Sequence, residues 1–215
     1  MRLLAVLLLS SCGLAAAERI DAFGYHWTVP AASDWKIEQQ GTESVLRLVA
    51  HRGPLPGPRR PIQFALAETP EFRHVTVDLD ARPLGHSLIV VFAYRDAAHF
   101  DYAHLSIDSA TKEHVHNGVF HVFGGERVRL SSETGPPAFA ASNRWYHVRL
   151  VHDGQSGAVQ VMVDGRTIPA LHAMDLSIGS GRVGIGSFDE TGDFKNVRIE
   201  GVAGSSEATD SEAPR

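Results

Sequence analysis

The chain has a single cysteine, Cys12, and it sits in the N-terminal leader. The remainder therefore has no internal disulfide, no thiolate nucleophile and no cysteine-ligated zinc. There is no basic excess either: the formal net charge is −5, which argues against a nucleic-acid partner. No apolar run is long enough to cross a bilayer as a mature helix. Helical periodicity is nearly absent. So are a G-x-S-x-G elbow and an N-x-S/T acceptor for glycosylation.

What the chain does have begins with the leader. Arg2 gives a positive start, Leu3 to Leu9 form an apolar run, and small residues follow. Two exits compete: Ala15-Ala16-Ala17 fits a signal peptidase site, and Leu9-Ser10-Ser11-Cys12 resembles a bacterial lipobox that would leave a lipid anchor on Cys12. Either one predicts export to the periplasm or the extracellular space. The expected organisation is a leader over 1–17, a single domain over 18–203 and a disordered tail over 204–215, which lacks large apolar residues.

Short β-rich runs recur between Gly, Pro, Asp and Asn. SVLRLVA (44–50), VTVDLDA (75–81) and RWYHVRLVHD (144–153) alternate apolar and polar residues. HSLIVVFAYR (86–95) and FDYAHLSI (100–107) form an apparent strand pair. AVQVMVDG, RVGIGSF and DFKNVRIEG follow in the second half. About ten or more short strands in one domain predict an all-β fold with two packed sheets. PLPGPRRP (54–61) is a Pro-rich loop that cannot be a central strand.

The segment W-Y-H-V-R-L followed by V-x-V-M-V-D-G, and then G-R-V-G-I-G-S-F-D-E-T-G-D-F-x-N-V-R-I, resembles the concanavalin A-like lectin and glucanase superfamily. Its laminin G-like secreted bacterial members, related to 3-keto-disaccharide hydrolase-type proteins, are the nearest in pattern. The resemblance covers about Phe23 to Gly201 and implies a jelly-roll sandwich of two antiparallel sheets. It implies carbohydrate or glycoside recognition on a concave face, without fixing an activity, because the fold hosts lectins, enzymes and adhesion modules alike. The alternatives are a 3-keto-disaccharide hydrolase-type enzyme and a protein-binding adhesion module. The E-x-D-x-x-E motif of family 16 glycosidases is missing, which disfavours a retaining glucanase of that kind.

Strand parity selects the candidate ligand face. Ala103, Leu105 and Ile107 form one apolar face, so Tyr102, His104 and Ser106 point the other way. Val90, Phe92 and Tyr94 are the expected core set of the preceding strand, leaving Arg95 outside. Val128 and Leu130 are expected to point inward, and Arg127 and Arg129 outward. The candidate ligand-binding set is Arg95, Tyr102, His104, His116, Asn117 and Arg127. Asn117 precedes Gly118 and suits either a turn or an amide contact to a sugar hydroxyl.

His114 and His116 have H-x-H spacing, and His104 is a natural third ligand, so a zinc site competes with a hydrogen-bonding face of neutral imidazoles. Asp193, in the acidic turn 189–193, is a candidate ligand for a structural calcium beside the plain-turn reading. No cofactor is fixed by the sequence; a divalent cation, calcium or zinc, is the one candidate. GSGRVG (179–184) matches G-x-G-x-x-G, but it leads into a strand and carries no dinucleotide. Trp145 opens a strongly alternating strand and is expected in the core.

Overall fold

A computed structural model describes residues 17–53 and 57–204. The leader sites around Cys12 and Ala15-Ala16, and the tail beyond Gly204, lie outside the described residues. The strands in chain order are β1 (Glu18–Ala22), β2 (Tyr25–Val29), β3 (Trp35–Gln40), β4 (Glu43–Leu48), β5 (Gln63–Ala67), β6 (Phe72–Pro83), β7 (Ser87–Asp96) and β8 (His99–Ser106). They continue with β9 (Gly118–Phe123), β10 (Glu126–Arg129), β11 (Tyr146–Asp153), β12 (Ala158–Val163), β13 (Arg166–Met174), β14 (Arg182–Ser187) and β15 (Gly192–Ala203). A 3-10 turn at Ala32–Asp34 is the one helical element among the described residues, and no helix there is long and apolar enough to cross a membrane.

The strands form two antiparallel sheets. The eight-stranded sheet runs β1-β2-β5-β14-β7-β8-β9-β10, and the seven-stranded sheet runs β13-β12-β11-β6-β15-β4-β3. Neighbours distant in sequence, such as β5 and β14 or β6 and β15, are the crossovers of a jelly roll.

The seven-stranded sheet follows simple alternation. In β6, Val75, Val77, Leu79 and Ala81 are buried, while Thr76, Asp78, Asp80 and Arg82 are not. Arg149 and His147 of β11 meet Asp78 and Asp80 across that solvated face. In β12, Val159, Val161 and Val163 point inward, opposite the inner face of the larger sheet. Trp27, Leu46, Leu48, Phe92, Phe139 and Phe194 are fully buried in or against this core. Each such side chain contributes about 1.5–3 kcal/mol by leaving water. Asp164 and Gly165, with φ of 50° and 75°, turn β12 into β13. Positive φ at both central positions is what a tight hairpin turn of the matching twist requires.

Trp145 departs from expectation. Tyr146, Val148 and Leu150 are the inward set of β11, so Trp145 falls on the outer side, beneath the Arg82 guanidinium (4.7 Å) and the Lys195 ammonium (4.9 Å). Val128 is likewise 57% exposed rather than buried, because β10 is the edge strand of its sheet.

The central strands β7, β8 and β9 do not alternate in burial. Residues 100–106 are all buried, as are 118–122. A strand of an open sandwich buries one face, so burial of both means that something covers the outer face here.

Candidate functional site

The parity expected for β8 is observed: Ala103 and Leu105 belong to the inter-sheet core, and Phe100, Tyr102 and His104 face outward. The outward face is not a polar surface, however. Ile89, Val91, Phe100, Tyr102, Phe120, Val122 and Phe188 form a second apolar cluster on it. Tyr102 stacks on Phe120 (5.2 Å) and His104 stacks on Phe188 (5.8 Å). The Arg127 guanidinium lies 4.9 Å from the Phe188 ring centre and 5.6 Å from that of Phe120, closing the cluster from above. Tyr102 and His104 are therefore 0% and 2% exposed and present no surface to a sugar.

His104 is held in one tautomer. Its Nδ1 donates to the Val115 carbonyl (3.0 Å), which leaves Nε2 to accept from the Ser87 hydroxyl (2.8 Å). Burial, with the neighbouring His116 imidazole, pushes its pKa down to about 3, so the ring is neutral. Both nitrogens are engaged and neither can bind zinc. His114 is exposed, in the irregular segment between β8 and β9, so His114 and His116 do not share a strand face. The zinc reading of His104, His114 and His116 is thereby corrected.

The other expected residues also have settled partners. Asn117 has φ 47° and is fully buried. Its amide donates to the Pro136 carbonyl (2.9 Å) and its side-chain oxygen accepts from the Ala138 amide (2.8 Å). It is a turn residue with no group left for a sugar. Arg95 is exposed and bonds Glu71 and Ser180, both at 2.5 Å, away from Tyr102. Arg129 donates to the carbonyls of His116, Asn117, Ser131 and Glu133, tying the loops on either side of β9 together. His116 lies 5.1 Å from the His104 ring, with its Nδ1 buried and without a hydrogen-bond partner.

Asp193 is not a calcium ligand. It is 0% exposed, and its carboxylate accepts from Arg47 (2.6 and 3.1 Å) and from Arg82 (2.8 Å). Two guanidinium groups already neutralise it. The neighbouring acids are also taken: Asp189 pairs with Arg59, and Glu190 accepts from the Ser87 amide.

The same outward face opens at its other end. A cleft of about 710 Å³ lies over β2, β5 and the end of β7. Phe64, Tyr94 and Phe100 line it, with ring centres 5.7–5.9 Å apart. The Asp34–Arg52 pair and Arg60 line it as well. Gln63 lies beside it in β5, but its side chain is on the inter-sheet side with Ala65 and Ala67, where its amide donates to the Ala50 carbonyl (2.5 Å).

Tyr94 is the residue that strand parity misplaces. Its neighbours Val90 and Phe92 face the core as expected, but Ala93 has φ 49° and the β7–β8 register shifts between Phe92 and Asp96. The resulting bulge turns Tyr94 from the core face to the cleft face. Alanine gives no sequence signal for positive φ, so the switch was invisible. Phe64 was missed because QFALA is a short run with little alternation.

No family model matches the chain, and no curated protein matches it by sequence. Its structure is similar to that of the carbohydrate-binding module CBM66 from Bacillus subtilis, with a TM-score of 0.52 and 14% identity over 86% of this chain and 92% of that one. It is also similar to a Parabacteroides distasonis protein assigned provisionally to the glycosyl hydrolases, with a TM-score of 0.50 and 14% identity over 80% and 92%. At this identity the likeness defines the fold. The chain is an all-β sandwich of two antiparallel sheets, with the jelly-roll fold of these neighbours.

Proposed function

We propose that the chain is a carbohydrate-recognition module that takes a glycan or glycoside into the Phe64–Tyr94–Phe100 cleft. The observation that carries this reading is the aromatic lining of an open cleft, the Phe64, Tyr94 and Phe100 rings, with Arg52 and Arg60 beside them. Sugar rings present C–H faces that pack on aromatic faces, and their hydroxyls need polar partners at the edge. The kinship in fold with a carbohydrate-binding module supports the same reading.

Recognition is favoured over cleavage. Glycoside hydrolysis ordinarily uses two carboxyl groups flanking the scissile bond. Asp34 is the one carboxylate among the described lining residues, and Arg52 holds it in a bidentate pair. The leader adds the exported compartments, periplasmic or extracellular, as the proposed location.

The test is a panel of glycans, glycosides and 3-keto-glucosides, assayed for binding by calorimetry and for products by chromatography. Saturable binding without product supports the module. Turnover would replace it with the hydrolase reading, and the absence of binding to any sugar would favour the adhesion-module alternative.

A further inference from the structure

A second polar group lies on the opposite face of the β8–β9 pair, between the sheets. Asp101 and His121 are cross-strand partners on that inner face. Asp175, the residue after β13 in the other sheet, reaches them. His121 Nδ1 stands 2.6 Å from Asp101 Oδ1 and 2.9 Å from Asp175 Oδ2. One ligand atom from each residue lies within 4.8 Å of the others. Asp101 is 1% exposed and His121 8%.

Each side chain is fixed in place. Asp175 Oδ1 accepts from the Ser177 amide (2.9 Å) and hydroxyl (2.5 Å), and the Asp175 amide donates to the Gly157 carbonyl (2.9 Å). This aims Oδ2 at the imidazole. The His121 ring is stacked on Phe123, 5.5 Å away. The arrangement nevertheless leaves a polar debt. Nδ1 carries at most one proton, and it is directed at Asp101. Asp175 Oδ2 is buried and has no hydrogen-bond partner despite its 2.9 Å approach to the ring. Two carboxyl groups held largely out of water around one imidazole nitrogen are costly unless they are compensated. A divalent ion between the three side chains compensates both carboxyl groups and gives Oδ2 the partner it lacks.

We propose that Asp101, His121 and Asp175 form a binding site for a divalent transition-metal ion, Zn²⁺ first, that ties the two sheets together. The imidazole donor selects against Ca²⁺ and Mg²⁺, which take oxygen ligands. Three protein donors suit Zn²⁺ with one further position left for water. The side chains point away from Phe100 and Tyr102, so the site is independent of the proposed glycan cleft.

The test uses the full chain, stripped with chelator, dialysed and titrated with ZnCl₂ or CaCl₂ by calorimetry. The expected result is one Zn²⁺ per chain and a Tm rise of roughly 5–10 °C at a hundredfold excess over Kd, with no effect of Ca²⁺. Asp175→Asn keeps the acceptor for Ser177 but loses the charge. It should weaken Zn²⁺ binding at least tenfold and abolish the Tm rise. The absence of saturable Zn²⁺ binding, or equal binding by Asp175→Asn, would overturn the proposal. Co²⁺ titration of the wild-type chain gives a readout that does not depend on the variant's folding. Hyperfine-shifted resonances from the His121 ring are expected, and their absence counts against the site.

Discussion

Gly181 lies so close to the bulge at Ala93 that a Cβ on it would stand 2.3 Å from the Ala93 carbonyl carbon and 2.4 Å from the Tyr94 amide nitrogen. Only a residue without a side chain lets the segment before β14 pass there. Because the bulge is what turns Tyr94 toward the cleft, Gly181→Ala should do two things. It should cost about 1–3 kcal/mol through overpacking, read as a lower urea midpoint. It should also weaken sugar binding, although residue 181 does not line the cleft. A variant that keeps full stability and full binding would show that the bulge does not depend on this close approach.

The buried histidines set an acid limit on stability. The pKa of His104 is pushed down to about 3, and that of His152, buried against Phe92, to about 4. The unfolded chain titrates these rings near 6.5 and so binds protons more readily than the folded one. Their contribution to stability is therefore complete above that value. It is lost progressively as pH falls from about 6.5 toward 3–4. At pH 5 each ring should cost about 2 kcal/mol relative to pH 7. Urea unfolding followed by tryptophan fluorescence should show this loss, and His104→Gln should remove about half of the pH dependence. A pH-independent midpoint between 7 and 5 would contradict the neutral buried state.

Much of the fold was legible because alternation is a direct consequence of one-sided burial. Val75, Val77 and Leu79, or Val159, Val161 and Val163, could only line one face. The parity of Tyr102 and His104 was legible for the same reason. What parity could not tell is whether the second face meets water. Arg127, in the adjacent β10, lies across that face instead of reaching into solvent, and Phe188, which caps it beside Arg127, follows β14, far along the chain. The Asp101–His121–Asp175 group left one trace: Asp101 shares parity with Ala103 and Leu105, a carboxylate on a core face. Its partner Asp175 sits in the other sheet's connection, and no spacing rule links the two.

The Arg47–Asp193–Arg82 group makes a separate prediction. Asp193 is a fully buried carboxylate between two guanidinium groups, one of which also stacks on Trp145. Asp193→Asn removes the charge and leaves Arg82 uncompensated against the sheet, with Arg47 held by Glu38 alone. Breaking a buried pair in this way costs about 3–5 kcal/mol, a fall in Tm of roughly 6–20 °C for a domain of this size. Millimolar Ca²⁺ should leave the wild-type Tm unchanged, since the carboxylate has no free oxygen to offer. A stabilisation by Ca²⁺ that vanishes in Asp193→Asn would restore the calcium reading.

Tyr94 is the sharpest test of the cleft. It packs edge-on against Phe64 (5.9 Å) and beside Phe100 (5.7 Å), with the Arg182 guanidinium 5.5 Å from its ring centre. Because it is only partly buried, replacing it should cost less stability than replacing a core aromatic such as Phe92. The loss should fall on binding instead. Removing an aromatic platform from a sugar site costs the packing of one ring face, so Tyr94→Ala should weaken sugar binding by roughly 10- to 100-fold, about 1.4–2.7 kcal/mol. Tyr94→Phe should retain most of the affinity, because the ring and not the hydroxyl supplies the contact. Tyr102→Phe serves as the control: that ring lies outside the cleft lining and is fully buried, so the change should leave binding unaltered. If Tyr102→Phe abolished binding while Tyr94→Ala did not, the ligand would sit at the β8–β9 end after all, beneath a displaced Arg127.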